Sequence, residues 1–390
     1  MSFFLYLISP ILSLPFILLD IRNGKKSAVL VFAIFLGSVA YCTIPLQDLF
    51  RHLVHYENYS SYGLSDYSYW DFEMNGIVVY VYSLMSHLHI PFDFLRLLTT
   101  ALSFYLFYKI FDWKIKASPR SYSNKEYFIH FLILTFFFDI TYTIAGVRYG
   151  VALSFFMYGT HQFIERKSKV LGAFWLICSF LYHPSFLFLT ISSYALYFLK
   201  INKKTIIVFS LIAFFAMSYF FQHFGYLLGV RESWYVNNSG GSSDYKAMTV
   251  FGFLGFILPK MCGIPIAVLL LKYFNAKYVW MRLSLSWLVL SIICLNNAVF
   301  LYRIWWGFMA TGIYVLIEYE ILYGINRRIV KRFLLSSVLF TLFSLIPFKN
   351  FILQSKYEKL LFPAPYVFSE HYTSSDVLKQ CPTAGDFVNK

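Results

Sequence analysis

Stretches of about 17 to 25 predominantly apolar residues, the length that crosses a hydrocarbon core, recur from one end of this 390-residue chain to the other. They cover 3–19, 28–46, 92–112, 127–146, 205–224, 248–271, 279–297, 303–322 and 333–348. Segments of that length surrounded by lipid must satisfy their backbone internally, so helices are the natural outcome. Charged residues make up 13% of the chain, against about 25% in an ordinary soluble domain. The expectation is an all-α polytopic integral membrane protein: a single domain over 1–390 with about 11–13 transmembrane or half-membrane helices. No lysine or arginine precedes the opening segment and no small-residue cleavage site follows it, so it reads as a retained first helix.

The net charge of +14 raises the question of nucleic acid, but its placement argues against that partner. Lysines and arginines gather in short loops: Arg22 to Lys26, Lys114 to Lys125, Arg166 to Lys169, Lys200 to Lys204, Lys272 to Lys277, and Arg327 to Arg332. That distribution is the positive-inside signature, and it assigns these loops to the cytoplasm. The N-terminus, 47–75, 140–148, 225–247, 297–303 and the tail 349–390 are then expected outside. The loop 47–75 suits that side through Asp48, Glu57, Asp66, Asp71 and Glu73.

Two stretches break the alternation. Residues 76–90 are short for a crossing, and 170–199 carry basic residues on both sides, so they must leave and return. Each arm of that return measures about 21 Å as helix, less than a hydrocarbon core of about 30 Å. His183-Pro184 falls at the fold, where proline disfavours helix at the residue before it. Irregular backbone at membrane depth is tolerated where protein or a water-filled cavity surrounds it. Both stretches therefore read as half-membrane elements around a cavity open to the outer face.

Polar residues inside apolar sequence are the candidates for function, because an arginine at a helix centre costs at least about 2.5–3.5 kcal/mol to insert. Arg148, in Gly146-Val147-Arg148-Tyr149-Gly150, is either a bidentate anion clamp or the partner of Asp139 at a helix end. His183, beside Ser185, is either a general base or a satisfied core histidine. Arg303, in Leu301-Tyr302-Arg303-Ile304-Trp305-Trp306, opens a helix from the outer side and binds anion or snorkels. Arg231, Arg51 and Asp48 are further contacts for substrate, or a surface pair and a helix end. Asp71 and Glu73 offer carboxylates for sugar hydroxyls or proton transfer, and Lys260 beside Pro259 is another intramembrane cation. Four cysteines (Cys42, Cys178, Cys262, Cys294) lie in apolar runs and Cys381 in the tail. With no paired spacing, neither a disulfide framework nor a metal site is expected. No Walker A, GxGxxG, HExxH or GxSxG string occurs either, so no cofactor is expected.

The order of these strings resembles the EpsG/Wzy group of bacterial O-antigen and capsular polysaccharide polymerases. The resemblance rests on Gln47-Asp48-Leu49-Phe50-Arg51 after the second apolar run and on Glu73 before a short one. Val147-Arg148-Tyr149-Gly150-Val151-Ala152 follows, and then Leu181-Tyr182-His183-Pro184-Ser185 beyond a basic loop. It implies a GT-C-like membrane glycosyltransferase in the bacterial inner membrane with both termini periplasmic. Its substrate would be an oligosaccharide on undecaprenyl pyrophosphate, joined at the outer face without metal. Arg148, Arg303, Arg231 and Arg51, with Asp48, would bind substrate and pyrophosphate, and His183, Glu73 or Asp71 would serve as base. A regulator of chain length is the further partner it implies. Two other readings share the architecture: an O-antigen ligase, and a flippase or transporter of lipid-linked oligosaccharide.

Overall fold

The computed structural model describes residues 2–46, 48–59, 77–145, 147–198, 208, 257–294, 298–346 and 349–382. Among them every regular element is helical. The first group is α1 (Ser2–Ile8), α2 (Pro10–Arg22), α3 (Ser27–Cys42), α4 (Asp48–Tyr59) and α5 (Val78–His87). Next come α6 (Phe92–Ala117), α7 (Asn124–Phe137), α8 (Ile140–Ala145), α9 (Val147–Thr160), α10 (Lys169–Tyr182) and α11 (Ser185–Phe198). The last are α12 (Ile264–Tyr273), α13 (Val279–Ile293), α14 (Ala298–Tyr323) and α15 (Arg327–Leu345), with α16 (Lys349–Gln354), α17 (Ala364–Val367) and α18 (Ser374–Gln380) in the tail. Among the described residues α6 alone is both long and apolar enough to cross a membrane. The helices α3, α10, α11 and α13 are apolar but shorter.

Local chemistry sets the breaks. Pro10 forces Ser9 into extended backbone (φ −160°), and Ser9 becomes the N-cap of α2. Ser123 and Glu126 form a reciprocal capping box at the start of α7, and Asn326 caps α15. The core runs through α6, which packs on α3 and α9, while α9 packs on α10 and α13 on α14. Phe104 meets Phe131 and Phe138 edge-on, and Trp280 lies against Tyr314 at 4.6 Å.

Among the described residues the basic loops gather at one end. Lys114, 5% exposed, bonds Glu165 at 2.8 Å and Glu318 at 2.9 Å. Glu318 in turn accepts from the backbone N–H groups of Trp280 and Met281, capping α13. Trp280 Nε1 donates to Glu165, and His161 pairs with the same carboxylate at 2.7 Å. Beside this network His130 and the Tyr122 hydroxyl engage Glu320. Gathering these loops at one end is what a single cytoplasmic side requires.

At the opposite end the tail is docked. Asp93 and Arg96 are wholly buried and paired at 2.9 Å. Arg96 also donates to the Thr43 carbonyl at 2.7 Å, and Asp93 accepts from the Tyr372 N–H at 2.7 Å. Lys356 N donates to the Cys42 carbonyl, and the Ser374 N–H to Glu57.

Several elements differ from the sequence reading. The single crossing expected over 3–19 is a helical hairpin that turns at Ser9-Pro10 and brings Ser2 beside Asp20. Lys114 and Glu165 lie inside helical structure and are buried, because each supplies the other's counter-charge. The run expected over 127–146 is broken at Asp139, which adopts φ +50°. The hairpin over 170–199 forms as expected, with arms of 14 residues each.

Candidate active site around Tyr149

At the end opposite the basic loops, the first turn of α9 presents Arg148 and Tyr149. The Tyr149 ring is 4% exposed and organises what surrounds it. Its hydroxyl donates to the Arg303 carbonyl of α14 at 2.8 Å. The Arg303 guanidinium lies over the ring, 5.8 Å from its centre. The His183 imidazole meets the ring edge-on at 5.5 Å, and Trp306 and Phe186 complete the wall at 5.7 and 4.9 Å. One tyrosine therefore joins α9, α14 and the tip of the α10–α11 hairpin.

His183 stands at the hairpin tip in extended backbone (φ −148°, ψ 108°), as the proline after it demands. Its N–H donates to the Ser179 carbonyl at 3.0 Å, and its carbonyl accepts from Phe186 at 2.9 Å. Its Nδ1 shares a 2.8 Å hydrogen bond with the Ser185 hydroxyl. Ring and backbone are thus both oriented, which leaves the imidazole one preferred presentation. Arg148 lies within electrostatic range of the buried Tyr182 hydroxyl. Arg148, His183 and Arg303 are all half-buried, so they reach solvent-accessible space from an apolar wall.

Gly150 sets how closely α9 approaches its neighbours. A Cβ there would sit 3.2 Å from both the Thr143 Cα and the Trp306 ring. The glycine serves close helix packing at this position.

The other expected site residues are distributed differently. Arg51 lies half-buried on α4, the helix that Asp48 begins. That helix packs against α5 and the tail helix α18. The N–H of Ile77, just before α5, donates to the Leu181 carbonyl at 2.8 Å, tying that segment to the hairpin tip. Asp71, Glu73 and Arg231 lie outside the described residues. Lys260 is half-buried beside Pro259. All five cysteines are free thiols, and Cys42, Cys262 and Cys294 are buried. Among the described residues no group of three or more histidines, cysteines or carboxylates could hold a metal.

Sequence reasoning missed Tyr149 and Trp306 as parts of the site. The signal was present: both are aromatics next to, or three residues from, a singled-out arginine. It also missed the buried Asp93–Arg96 pair, whose partners come from the distant tail.

The profile of the EpsG family matches residues 29–364, from α3 to the tail and across every site element described above. The chain belongs to the EpsG family. This family is Wzy-type and polysaccharide-polymerase-like, and it is membrane-associated in bacteria. No curated protein and no solved structure matches the chain. The EpsG match spans both strings on which the resemblance rests within the described residues, Val147–Ala152 and Leu181–Ser185. In this EpsG protein the two strings meet at Tyr149. The Arg303 guanidinium and the His183 imidazole both meet the Tyr149 ring, with Arg148 on the same helix turn near Tyr182. Cations and an imidazole are the groups suited to an anionic leaving group and a proton acceptor.

Proposed function

We propose that the protein is a polytopic inner-membrane polymerase of undecaprenyl-pyrophosphate-linked oligosaccharide repeat units, acting on the periplasmic side. The observation that carries the reading is the meeting of His183 and Arg303 at Tyr149, next to Arg148 in the first turn of α9, in a chain of the EpsG family. The convergence of the basic loops at the other end supports the orientation, since that end then faces the cytoplasm. The 14-residue arms of α10 and α11 and the 10-residue α5 suit elements that stop part-way through the bilayer.

The reaction is glycosyl transfer. A hydroxyl of the incoming unit's non-reducing sugar attacks the anomeric carbon of the growing chain. A C–O bond forms there as the bond to the lipid pyrophosphate breaks, and the pyrophosphate departs with the electron pair. The hydroxyl proton passes to His183 Nε2, with Nδ1–H donated to Ser185 in this tautomer. Arg148 and Arg303 hold the charge that develops on the pyrophosphate, a role in which one donor is worth about 10²–10³ in rate. Glu73 and Asp71 are the alternative bases, and Asp48, Arg51 and Arg231 are the further contacts for sugar and lipid. A chain-length regulator would act on the same reaction from outside the bundle.

Deleting the gene and complementing it with wild type, Arg148→Ala or His183→Ala tests the reading on a gel of surface polysaccharide. A polymerase defect leaves one repeat unit on each acceptor and no long ladder. Loss of every unit would assign the protein as a ligase or flippase. Normal ladders in both variants would remove Arg148 and His183 from the site.

A further inference from the structure

The cytoplasm-facing end carries a cleft that the polymerase chemistry does not use. It lies between the α2–α3 turn and the α6–α7 connection and encloses about 200 Å³. That is far more than the roughly 10–15 Å³ of such space one water needs. Its walls are Ile21, Val29, Ile115 and the rings of Tyr122 and Tyr127. Its rim is Lys25, Lys26 and Lys116, with Asp112 and Asn124 also lining it. The wall hydroxyls are committed elsewhere, Tyr122 to Glu320 at 2.9 Å and Tyr127 to Tyr108 at 3.0 Å.

The rim is built by the turn rather than by chance proximity. Gly24 takes φ +82°, a left-handed conformation that suits glycine, and closes α2. Gly24 N donates to the Ile21 carbonyl and Lys25 N to the Asp20 carbonyl, both at 2.9 Å. This paired closure turns the chain sharply and delivers Lys25 and Lys26 to the start of α3. No side chain caps that helix start, whose dipole favours an anion.

The charges do not cancel. Lys25 pairs with Asp20 at 2.8 Å, and Lys116 contacts Asp112. Lys26 and Lys116 nevertheless line the same cleft, close enough for their charges to repel, with Lys109 also near. The three rim lysines face two carboxylates, and two like charges are held together. An oxyanion between Lys26 and Lys116 would turn that repulsion into two charge-assisted hydrogen bonds.

We infer that this cleft binds a phosphoester anion between Lys26 and Lys116, supplied by the headgroup of an acidic phospholipid in the cytoplasmic leaflet. The amphipathic profile favours a lipid over a free oxyanion. Lysines at the rim meet the phosphate, while aliphatic and aromatic walls meet the glycerol ester beneath it. Basic pockets between helices at this level are known to take such headgroups. The lipid source rests on the membrane orientation proposed above; the anion clamp and the polymerase chemistry do not depend on each other.

The test uses the full-length protein in phosphatidylcholine nanodiscs with and without phosphatidylglycerol, read by native mass spectrometry and by Tm. Wild type should retain phosphatidylglycerol and gain Tm from it. The Lys26→Ala/Lys116→Ala protein should lose retention by about 30-fold, the order that two such lysines carry. An Arg328→Ala/Lys331→Ala protein removes two exposed cations from the same end outside the cleft, and should behave as wild type. Lys26→Glu supplies its own carboxylate to Lys116, so it should raise Tm in pure phosphatidylcholine yet lose the response to phosphatidylglycerol. In detergent, inorganic phosphate serves as the second probe. Stabilisation of wild type but not the double variant by phosphate, without any lipid preference, would keep the clamp and overturn the lipid source. Equal retention in wild type and the double variant, with no effect of phosphate on either, would overturn the proposal. Because none of these readouts involves polymer formation, their failure is separate from failure of the polymerase reading.

Discussion

At the basic end Lys114 is 5% exposed and held by Glu165 and Glu318, whereas at the other end Arg148, His183 and Arg303 are half-buried around one tyrosine. Burying an ion costs several kcal/mol after relaxation unless counter-charges and hydrogen bonds surround it. Lys114 meets that demand with two carboxylates, one of which also caps α13 through two backbone N–H groups. The cations at the Tyr149 end remain partly open to solvent, where an anionic ligand can reach them. On the reading proposed above, the contrast separates charge that holds the bundle from charge that meets substrate, and the degree of burial tells them apart.

Substitutions test that separation directly. The largest effect is expected from Lys114→Ala, which leaves Glu165 and Glu318 buried without their ammonium. Breaking such a pair costs about 3–5 kcal/mol. Thermal unfolding of purified protein should show a large fall in Tm, and whatever protein remains folded should keep its specific activity. Arg148→Ala should do the reverse, lowering chain extension on a lipid-linked repeat unit by about 10²–10³ with little change in Tm. An equal fall in Tm for both variants would erase the distinction between the two ends.

Smaller effects probe the internal order of the site. Tyr149→Phe removes the hydrogen bond to the Arg303 carbonyl but keeps the ring under the guanidinium. The expected loss is about 0.5–1.5 kcal/mol, read as a drop of up to about tenfold in polymer formation; no change would mean that the ring alone positions Arg303. Ser185→Ala releases His183 Nδ1 and should lower turnover less than His183→Ala does, with substrate affinity preserved. If the two variants prove equally inactive, Ser185 carries more of the chemistry than orienting the imidazole.

Much of this was legible before any coordinates. The run of Gly76 to Ile90 is too short to cross, and the basic flanks of 170–199 demand a hairpin; both elements formed with the expected break at His183-Pro184. Apolar length, loop charge and proline are local signals, and the chain obeys them because backbone satisfaction in an apolar setting leaves few alternatives. The first hairpin was equally readable at Ser9-Pro10 but hidden by the unbroken hydropathy of 3–19. Hydropathy measures burial and is blind to a backbone that turns inside an apolar run. Lys114 and Glu165 misled for a related reason, since a loop charge and a buried ion pair look alike until the partner is known.

The sequence alone thus determined the all-helical class, the basic connections and the hairpin fold at His183, and it singled out the arginine and histidine of the candidate site. Those features depend on residues close together in the chain. Only the tertiary structure decided that Tyr149 joins His183 and Arg303, and that Lys114 belongs to Glu318, 204 residues away. It also decided that Asp93 and Arg96 hold the tail through Tyr372, 279 residues from Asp93. Such pairings arise from how helix faces meet. Many partners satisfy the same charge or hydroxyl on paper, and packing selects the one that leaves the others satisfied as well.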